Sequence, residues 1–348
     1  MTVLVRSVNL NTERDKLVGI LERNLTDLAH SVRFSWLYQN NPVGTAWSWF
    51  AVERETRKMV GIASVFPRAM WVGGEVKLCG QVGDFAIDGG YRSLGPALML
   101  QRATFEPVDQ GVLAFCYDCP PHDQGMSTFR RLGIGSISQM QRYTRPLRVN
   151  RQIIKRIGQG RLSASLGRLG NILLDLWTYR RYRVRNLELS PYAGGFGEEF
   201  SALDQSVGGT EGVRSRRKAE DLNWRYRQDP LRQYRVQTAR RNGELLAFAI
   251  YSISGQDAYL IDLFGKISVE VGLELLAAVV DDLKKGPVQS LHWLINTGNC
   301  LSDLVRKTHF SYRSLAARIV AYSRPGSLTR TLFDRDPKWF FNHADILA

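Results

Sequence analysis

The stretch Trp36-Leu-Tyr38-Gln-Asn-Asn-Pro42 recurs as Trp224-Arg-Tyr226-Arg-Gln-Asp-Pro230, so the pattern W-x-Y-x-x-[ND]-P occurs twice in a chain of 348 residues. Three further short matches follow in the same order: 60–63 (VGIA) with 246–249 (LAFA), 83–87 (GDFAI) with 261–264 (IDLF), and 132–134 (LGI) with 308–310 (THF). A spacing of about 180 residues is far longer than the repeat of a solenoid. The sequence therefore predicts two diverged copies of one α/β unit in tandem.

The hydrophobic pattern predicts an α/β (α+β) fold in which each copy is built on a mixed sheet. In the first copy the predicted order of elements is β-α-α-β-β-β-α-β-α-β-β, and the second copy repeats its later part. We place the first domain at 1–147, a basic helical linker at 148–185 and the second domain at 186–348.

Four local features of this prediction are specific enough to compare with a structure. Gly73-Gly74 predicts a hairpin turn, and 111–117 predicts a buried strand. The first copy is expected to close with a pair of strands that ends near 148. In the second copy, 310–322 is predicted as one strand and the residues from 339 to 346 as another.

The formal net charge of +14 is concentrated in one segment. Between Arg142 and Arg185 there are twelve Lys or Arg and a single acid, Asp175. Because the rest of the chain is nearly neutral, a nucleic-acid groove across the protein is not indicated. In the predicted linker, basic and apolar residues recur at helical spacing, interrupted by Gly158 and Gly160. Two interpretations stay open: contact with an anionic membrane or an acidic partner, or a connector packed on both domains.

Hydropathy and cysteine usage indicate the cellular location of the protein and whether it binds a metal ion. No apolar run reaches the roughly 20 residues that cross a bilayer, and the first residues lack a signal peptide's pattern. We expect a cytoplasmic protein, with peripheral contact at the inner membrane face as the option that the linker leaves open. Cys116-x-x-Cys119 lacks a second pair of ligands, so we interpret it as structural and expect no metal ion.

The most specific functional signal is 88–97, DGGYRSLGPA, where a predicted strand ends and a helix begins. Backbone amides and the positive end of the helix dipole converge there, and glycine lets an anion approach the main chain. An ordinary helix N-terminus with Pro96 in its first turn is the alternative, and this proline removes one donor. The pattern indicates a phosphate site at five residues, Arg92, Ser93, Leu94, Gly95 and Ala97.

The spacing Arg92-x-x-Gly95-x-Ala97, with a strand before it, resembles the acyl-CoA pyrophosphate loop of the GNAT acyltransferase superfamily, [QR]-x-x-G-x-[GA]. With the strand order and the 129–134 ending FRRLGI, the resemblance covers residues 1–147. The second copy has no such loop. The chain therefore resembles a tandem double-GNAT protein with a degenerate second copy and one cofactor site.

The resemblance implies that acetyl-CoA or another acyl-CoA is the co-substrate. In this family the pantothenate arm pairs like an added strand with the strand before the loop. The residues implied for that contact are Phe85, Ala86 and Ile87.

Direct acyl transfer requires a base for the acceptor and often an acid for the leaving thiolate. The resemblance implies Asp84 as the candidate base, and a structural carboxylate is the alternative, favoured by the matching Asp262. The tyrosine that the family often carries after the fifth strand is absent from 123–132. The remaining polar candidates are Tyr117, His122, Asp123 and Ser127, of which Tyr117 and His122 are preferred, with a neutral exposed histidine as the alternative for His122.

The resemblance implies an acyl-CoA-dependent N- or O-acyltransferase whose acceptor is the amine or hydroxyl of a small or carbohydrate-like molecule between the halves. One alternative is an aminoacyl-tRNA- or acyl-carrier-protein-dependent transferase, because both donors are acidic and this chain is basic. Another is a non-catalytic binding or scaffold protein of the same fold. The repeated Trp36/Tyr38 and Trp224/Tyr226 are interpreted as duplicated core packing rather than an aromatic binding box.

Overall fold

A computed structural model describes residues 3–123, 125–158, 160–178, 186–208, 212–315, 317–334 and 338–346. Its first half consists of β1 (Val3–Ser7), α1 (Arg14–Asn24), α2 (His30–Phe34), a π-helical turn (Ser35–Gln39), β2 (Trp47–Glu53), β3 (Met59–Val72), β4 (Glu75–Ile87), a 3-10 turn (Gly89–Tyr91), α3 (Leu94–Ala103), α4 (Glu106–Asp109), β5 (Cys116–Asp118), α5 (Met126–Arg131) and β6 (Ser136–Pro146).

Two helices follow, α6 (Asn150–Ile157) and α7 (Arg161–Thr178). The second half consists of β7 (Leu187–Pro191), α8 (Glu198–Val207), β8 (Gly212–Ser215), α9 (Ala219–Tyr226), β9 (Tyr234–Arg241), β10 (Glu244–Ser254), β11 (Asp257–Gly265), α10 (Val269–Lys284), β12 (Ser290–Asn296), α11 (Ser302–Arg306), β13 (Ser311–Arg313), β14 (Arg318–Tyr322), α12 (Leu328–Asp334), β15 (Lys338–Phe340) and a 3-10 turn (His343–Asp345).

One sheet runs through both halves in the order β1-β2-β3-β4-β5-β14-β6-β12-β11-β10-β9-β7. From each edge, antiparallel neighbours lead to one parallel pair, β4 with β5 in the first half and β11 with β12 in the second. At the centre the last strands are exchanged, because β14 lies against β5 and β6 lies against β12. The predicted α/β class with a mixed sheet is confirmed.

Helices cover both faces of the central strands, which explains the long apolar run of β3. Ile62 and Phe66 pack in one cluster with α1 and the π-helical turn, whereas Ala63 and Val65 pack in another with Leu100 of α3. A strand buried on both faces reads as continuously apolar instead of alternating. The β3–β4 hairpin turns at Gly73 and Gly74, whose φ values of 56° and 90° favour glycine, as predicted.

The buried strand predicted at 111–117 is shorter than expected. Gly111 has a φ of 78°, and the amides of Val112 and Leu113 both donate to the carbonyl of Pro107. The chain is therefore still turning out of α4 at these residues, and regular pairing as β5 starts only at Cys116.

The predictions for the closing strands are also corrected. The predicted pair before 148 is the single strand β6, because its partners come from the other half of the chain. The strand predicted at 310–322 is divided into β13 and β14, which pair with different parts of β6. In the predicted strand from 339 to 346, pairing as β15 ends at Phe340, and Asn342 then caps the last 3-10 turn.

The two halves meet at the repeated tryptophans. Trp36 and Trp224 stack with ring centroids 5.0 Å apart. Trp36 Nε1 donates to the carbonyl of Trp224 over 2.8 Å, and Trp224 Nε1 donates to the carbonyl of Trp36 over 3.0 Å. Both side chains are buried, and the reciprocal bonds leave neither indole N–H unpaired. These contacts favour the packing interpretation of the repeated motif.

The connecting segment forms a helical hairpin, α6 and α7, that turns at Gly158 with a φ of 79°. The two helices are closely packed at Gly170, where a Cβ would lie only 2.6 Å from the Val149 side chain. Residues 159 and 179–185 of the predicted linker lie outside the described residues. In the part of the chain that the structure describes, no helix is long and apolar enough to span a membrane.

Candidate active site

A cleft of about 410 Å³ lies beside the C-terminal end of β4 and the start of α3. Six of the residues predicted for cofactor binding line it together: Phe85, Ala86, Ile87, Arg92, Ser93 and Ala97. Helices α1 and α5 provide the remaining wall, with Asn24, Leu25, Ser127 and Thr128. Ser127 was among the polar candidates for the acid, whereas Asn24, Leu25 and Thr128 were not predicted, since no motif links them to the turn.

The turn between β4 and α3 is fixed by ionic contacts to α1. Asp88 accepts two hydrogen bonds from Arg23, of 2.7 and 2.9 Å, and one of 2.7 Å from Asn24. Burial opposes ionisation of Asp88, but the bonds from Arg23 and Asn24 hold its pKa below the ordinary value. Arg92 donates to the carbonyl of Ile87 over 3.0 Å, which positions its guanidinium at the cleft.

The N-terminus of α3 offers an anion site. Ser93 is the N-cap, yet its side chain makes no capping hydrogen bond. The amides of Leu94 and Gly95 belong to the first turn, where a helix provides no carbonyl partner, and Pro96 has no amide. A Cβ on Gly95 would have no heavy atom within 4 Å, so the space over this turn is open. The Leu94 side chain lies outside the described part of the structure.

Among the described residues, β4 has no strand on its cleft side beyond Gln81, so this edge can pair with a ligand. β4 and β5 are in register only at Gly80 with Cys116 and Gln81 with Tyr117, after which the strands separate. An extended ligand group can add to such an edge as a further strand. The residues that follow the separation include Phe85, Ala86 and Ile87.

Asp84 lies in a β-bulge of β4, where two residues face Ala63 of β3. Its φ of 48° is unusual for a non-glycine residue. The carboxylate is buried and ion-paired with Arg33, and its second oxygen accepts from Tyr38 over 2.7 Å. With both oxygens engaged, the contacts favour the structural alternative, and the role of Asp84 as a base stays a prediction. Asp262 has a matching ion pair with Arg217, of 2.8 Å.

Of the polar candidates for the acid, Ser127 lines the cleft, whereas Tyr117 and His122 are not among the residues that line it. Tyr117 is buried, its hydroxyl is 3.4 Å from the carbonyl of Asp345, and burial raises the pKa of the phenol. His122 is exposed in the loop before α5. Their roles stay predictions.

The cysteine pair is also buried or half-buried. Burial raises the pKa of the Cys116 and Cys119 thiols, which keeps both protonated at neutral pH. Among the residues that the structure describes, no group of three or more His, Cys, Asp or Glu is placed to hold a metal ion.

Solved structures of similar shape identify the fold. A protein from Enterococcus faecalis V583, described as a probable N-acyltransferase, has a TM-score of 0.65 at 14% identity, covering 92% of this chain and 72% of its own. A GCN5-related N-acetyltransferase from Anabaena variabilis has a TM-score of 0.65 at 12% identity, with the same coverage. The chain has the GNAT fold.

Saccharomyces cerevisiae N-myristoyltransferase, solved with bound myristoyl-CoA, is also similar, with a TM-score of 0.59 at 11% identity. The match covers 92% of this chain and 82% of that one. No protein-family model and no curated protein matches the sequence. At these identities the likeness shows the GNAT fold alone.

Proposed function

We propose that this GNAT-fold protein is an acyl-CoA-dependent acyltransferase. The observation that carries the proposal is the cleft beside β4, which brings together six residues that the sequence assigned to cofactor binding. The open space over Gly95 fits an anion at the N-terminus of α3, and the free edge of β4 fits an extended arm.

Each part of the cleft has a defined task in this proposal. The amides of Leu94 and Gly95, with the Arg92 guanidinium, bind the diphosphate of the cofactor. Phe85, Ala86 and Ile87 orient its arm along β4. Acyl-CoA would supply an activated thioester: the acceptor nitrogen or oxygen forms the new acyl bond, the C–S bond breaks, and the thiolate of CoA leaves and takes a proton from solvent. Arg33 and Tyr38 hold Asp84 in the bulge, so Asp84 accepts a proton from the acceptor only when that ion pair loosens.

The proposed organisation is a duplication whose second copy has lost the cofactor site, with units at 1–147, 148–185 and 186–348. It is supported by the strand order, which repeats from both edges of the sheet, and by the reciprocal Trp36–Trp224 contact. The acceptor, a small or carbohydrate-like amine or alcohol, binds between the halves in this proposal.

Thermal unfolding with and without millimolar acetyl-CoA, a longer acyl-CoA and free CoA tests the cofactor site. A ligand at about 100 times its Kd adds about 2.7 kcal/mol of stability, so all three should raise the Tm. Gly95→Trp should abolish the increase because the indole would occupy the space over the turn. Glu270→Trp, at the equivalent position of α10, is the matched control and should retain it.

The same experiment separates the alternatives. If none of the three ligands raises the Tm, the better hypotheses are an aminoacyl-tRNA- or carrier-dependent transferase and a scaffold protein. If free CoA stabilises the protein but no amine or alcohol releases CoA from acetyl-CoA, the chain binds the cofactor without catalysis.

We also propose that the α6–α7 hairpin contacts an anionic membrane surface from the cytoplasmic side. Its exposed residues include arginines, such as Arg156 and Arg168, and five apolar side chains that are 38–58% exposed: Ile154, Leu166, Leu169, Ile172 and Leu173. Apolar residues beside basic ones are typical of helices that lie in a membrane interface.

Co-sedimentation of the full chain with vesicles tests this contact. Binding is expected to vesicles that contain phosphatidylglycerol, to weaken with salt and to be lost in the Leu169→Ser/Leu173→Ser variant. Val112→Ser, which changes an exposed valine in the first half, is the control. Equal binding to neutral vesicles, or no binding at low salt, would reject the contact with an anionic membrane. The interpretation of the hairpin as a connector packed on both domains would then remain.

A further inference from the structure

A second cavity, of about 790 Å³, lies at the junction of the two halves. Trp36 reaches it from the first half, whereas β10, β11, the end of α9 and the C-terminal turn line it from the second. The C-terminal turn also contacts β4, the strand proposed to orient the cofactor arm, because the Gln81 side chain donates to the carbonyl of Asp345 over 3.0 Å. Gln81 is the last residue of β4 that pairs with β5, so the cavity adjoins the point where these strands separate.

Two residues that line this cavity each have a buried side-chain nitrogen with no hydrogen-bond partner in the described part of the chain. These atoms are Nη2 of Arg225 and Nδ1 of His343. A buried polar group left unsatisfied costs about 1–3 kcal/mol, and more when it is charged. An anionic ligand in the cavity would give both residues a partner that the described part of the chain does not provide.

The surroundings carry excess positive charge. Arg225 also lines a small adjoining cavity together with Arg68 and Arg217. Arg217 is compensated by its ion pair with Asp262, but the buried Arg68 donates to the neutral amide oxygen of Gln81, over 2.8 and 3.0 Å. Burial and repulsion by Arg225 lower the pKa of Arg68 to about 10. Arg232 adds a further positive charge at the larger cavity.

We propose that this junction cavity, which we call the anion cavity, binds the acyl acceptor and that the acceptor carries a carboxylate or phosphate group held by Arg225, Arg232 and His343. The name acceptor rests on the proposed acyltransferase function, whereas the anion site rests on the cavity alone. Trp36 and Tyr259 provide flat apolar walls for the rest of the molecule. The acceptor class is thus narrowed to amines or alcohols that bear an anionic group.

The protonation state of His343 gives this site a spectroscopic reporter. Burial, with Arg232 and Arg225 nearby, lowers the pKa of its imidazole to about 4, so the ring is neutral at pH 7. An anion bound beside the ring favours its protonated form and raises that pKa. The chain has five histidines, so the His343 resonance is assignable by its loss in His343→Gln.

The test is a titration of the full chain, with ring-labelled histidine, by inorganic phosphate and separately by acetate at constant ionic strength. We expect a saturable shift of the His343 resonance with at least one anion, and the stronger of the two identifies the group. Arg225→Gln should weaken the binding of that anion by about tenfold or more, because a charge-assisted hydrogen bond is lost. Arg241→Gln, which removes an exposed arginine outside the anion cavity, should not.

Because Arg225 is partly buried, Arg232→Gln provides a second variant that changes an exposed side chain. The absence of a saturable shift with both anions, or binding unaffected by both variants, would overturn the anion cavity. The CoA-dependent increase in Tm is measured in the same samples. Anion binding without CoA binding would retain the anion site and reject the acyltransferase, whereas the reverse would reject only this inference.

Discussion

The two halves of the protein carry the same strand-to-helix turn, but only the first leaves it open. Ser93 and Ser268 are both N-caps with extended backbone, and Gly95 and Glu270 both occupy the second position of the helix that follows. Ser268 accepts a hydrogen bond from the amide of Val271 over 3.3 Å, whereas the Ser93 side chain makes no capping bond.

The second turn carries its own anion. The Glu270 carboxylate bonds to its own backbone amide and to the Ser268 hydroxyl, and both contacts lower its pKa. Gly272 is packed as well, because a Cβ there would lie 2.6 Å from the Leu304 side chain. An acidic side chain at a helix N-terminus satisfies the same amides and dipole that would otherwise bind a phosphate. The side chain at the second helical position, with the cap and the packing around it, thus separates the closed second turn from the first turn, which we propose as the phosphate site.

The largest effect is expected from the buried ion pairs that both halves share. Asp84→Asn and Asp262→Asn each remove the ion-paired carboxylate of a buried arginine, which should lower the free energy of unfolding by about 3–5 kcal/mol. The loss should be smaller for Asp262→Asn, because Asp345 remains 3.9 Å from Arg217. Asparagine tolerates the positive φ at 84, so the backbone is not the cause. Urea denaturation measures both losses of stability. A loss below about 1 kcal/mol in only one of the two variants would show that the halves are not equivalent.

The next effect concerns the contact that joins the halves. Trp36→Phe leaves the carbonyl of Trp224 without its donor, and Trp224→Phe does the same to the carbonyl of Trp36. Each should cost about 1–3 kcal/mol, and the double variant less than the sum, because the rings also stack. Additive losses in denaturation experiments would contradict a coupled pair.

Exchanging the residues at the second helical position tests the difference between the two turns directly. Gly95→Glu introduces into the first half the carboxylate that closes the second, and it should weaken CoA binding by about tenfold or more, or about 1.4 kcal/mol. Glu270→Gly is the reciprocal change and should leave CoA affinity unaltered. Isothermal titration calorimetry with free CoA distinguishes these results, and unchanged affinity in Gly95→Glu would place the diphosphate elsewhere.

The smallest effect is expected at the two N-caps. Ser268→Ala should destabilise the protein by about 1 kcal/mol because it removes a working cap. Ser93→Ala should cost only a few tenths of that, since its hydroxyl makes no capping bond. Equal losses in thermal unfolding would mean that the first turn is closed by its own cap, as the second is.

Short-range patterns predicted the features that depend on neighbouring residues. The Gly73-Gly74 hairpin followed from glycine at positive φ, and the turn at Arg92–Ala97 followed from residues within one helical turn of each other. The other walls of the cleft, such as Asn24 and Thr128, come from helices that no spacing relates to the turn. Asp84 was singled out by its strand, but its partners Arg33 and Tyr38 are about 50 residues away in sequence.

By itself the sequence determined the repeated motif, the α/β class and the position of the turn between β4 and α3, because these depend on periodicity and on backbone preferences of single residues. Only the tertiary structure decided that the halves exchange their last strands, that Trp36 bonds to Trp224, and that Asp84 is already paired. It also placed the unpartnered atoms of Arg225 and His343 in one cavity. Strand exchange and buried polar pairing join residues up to 264 positions apart, and such pairing is selected by the packing of the whole chain.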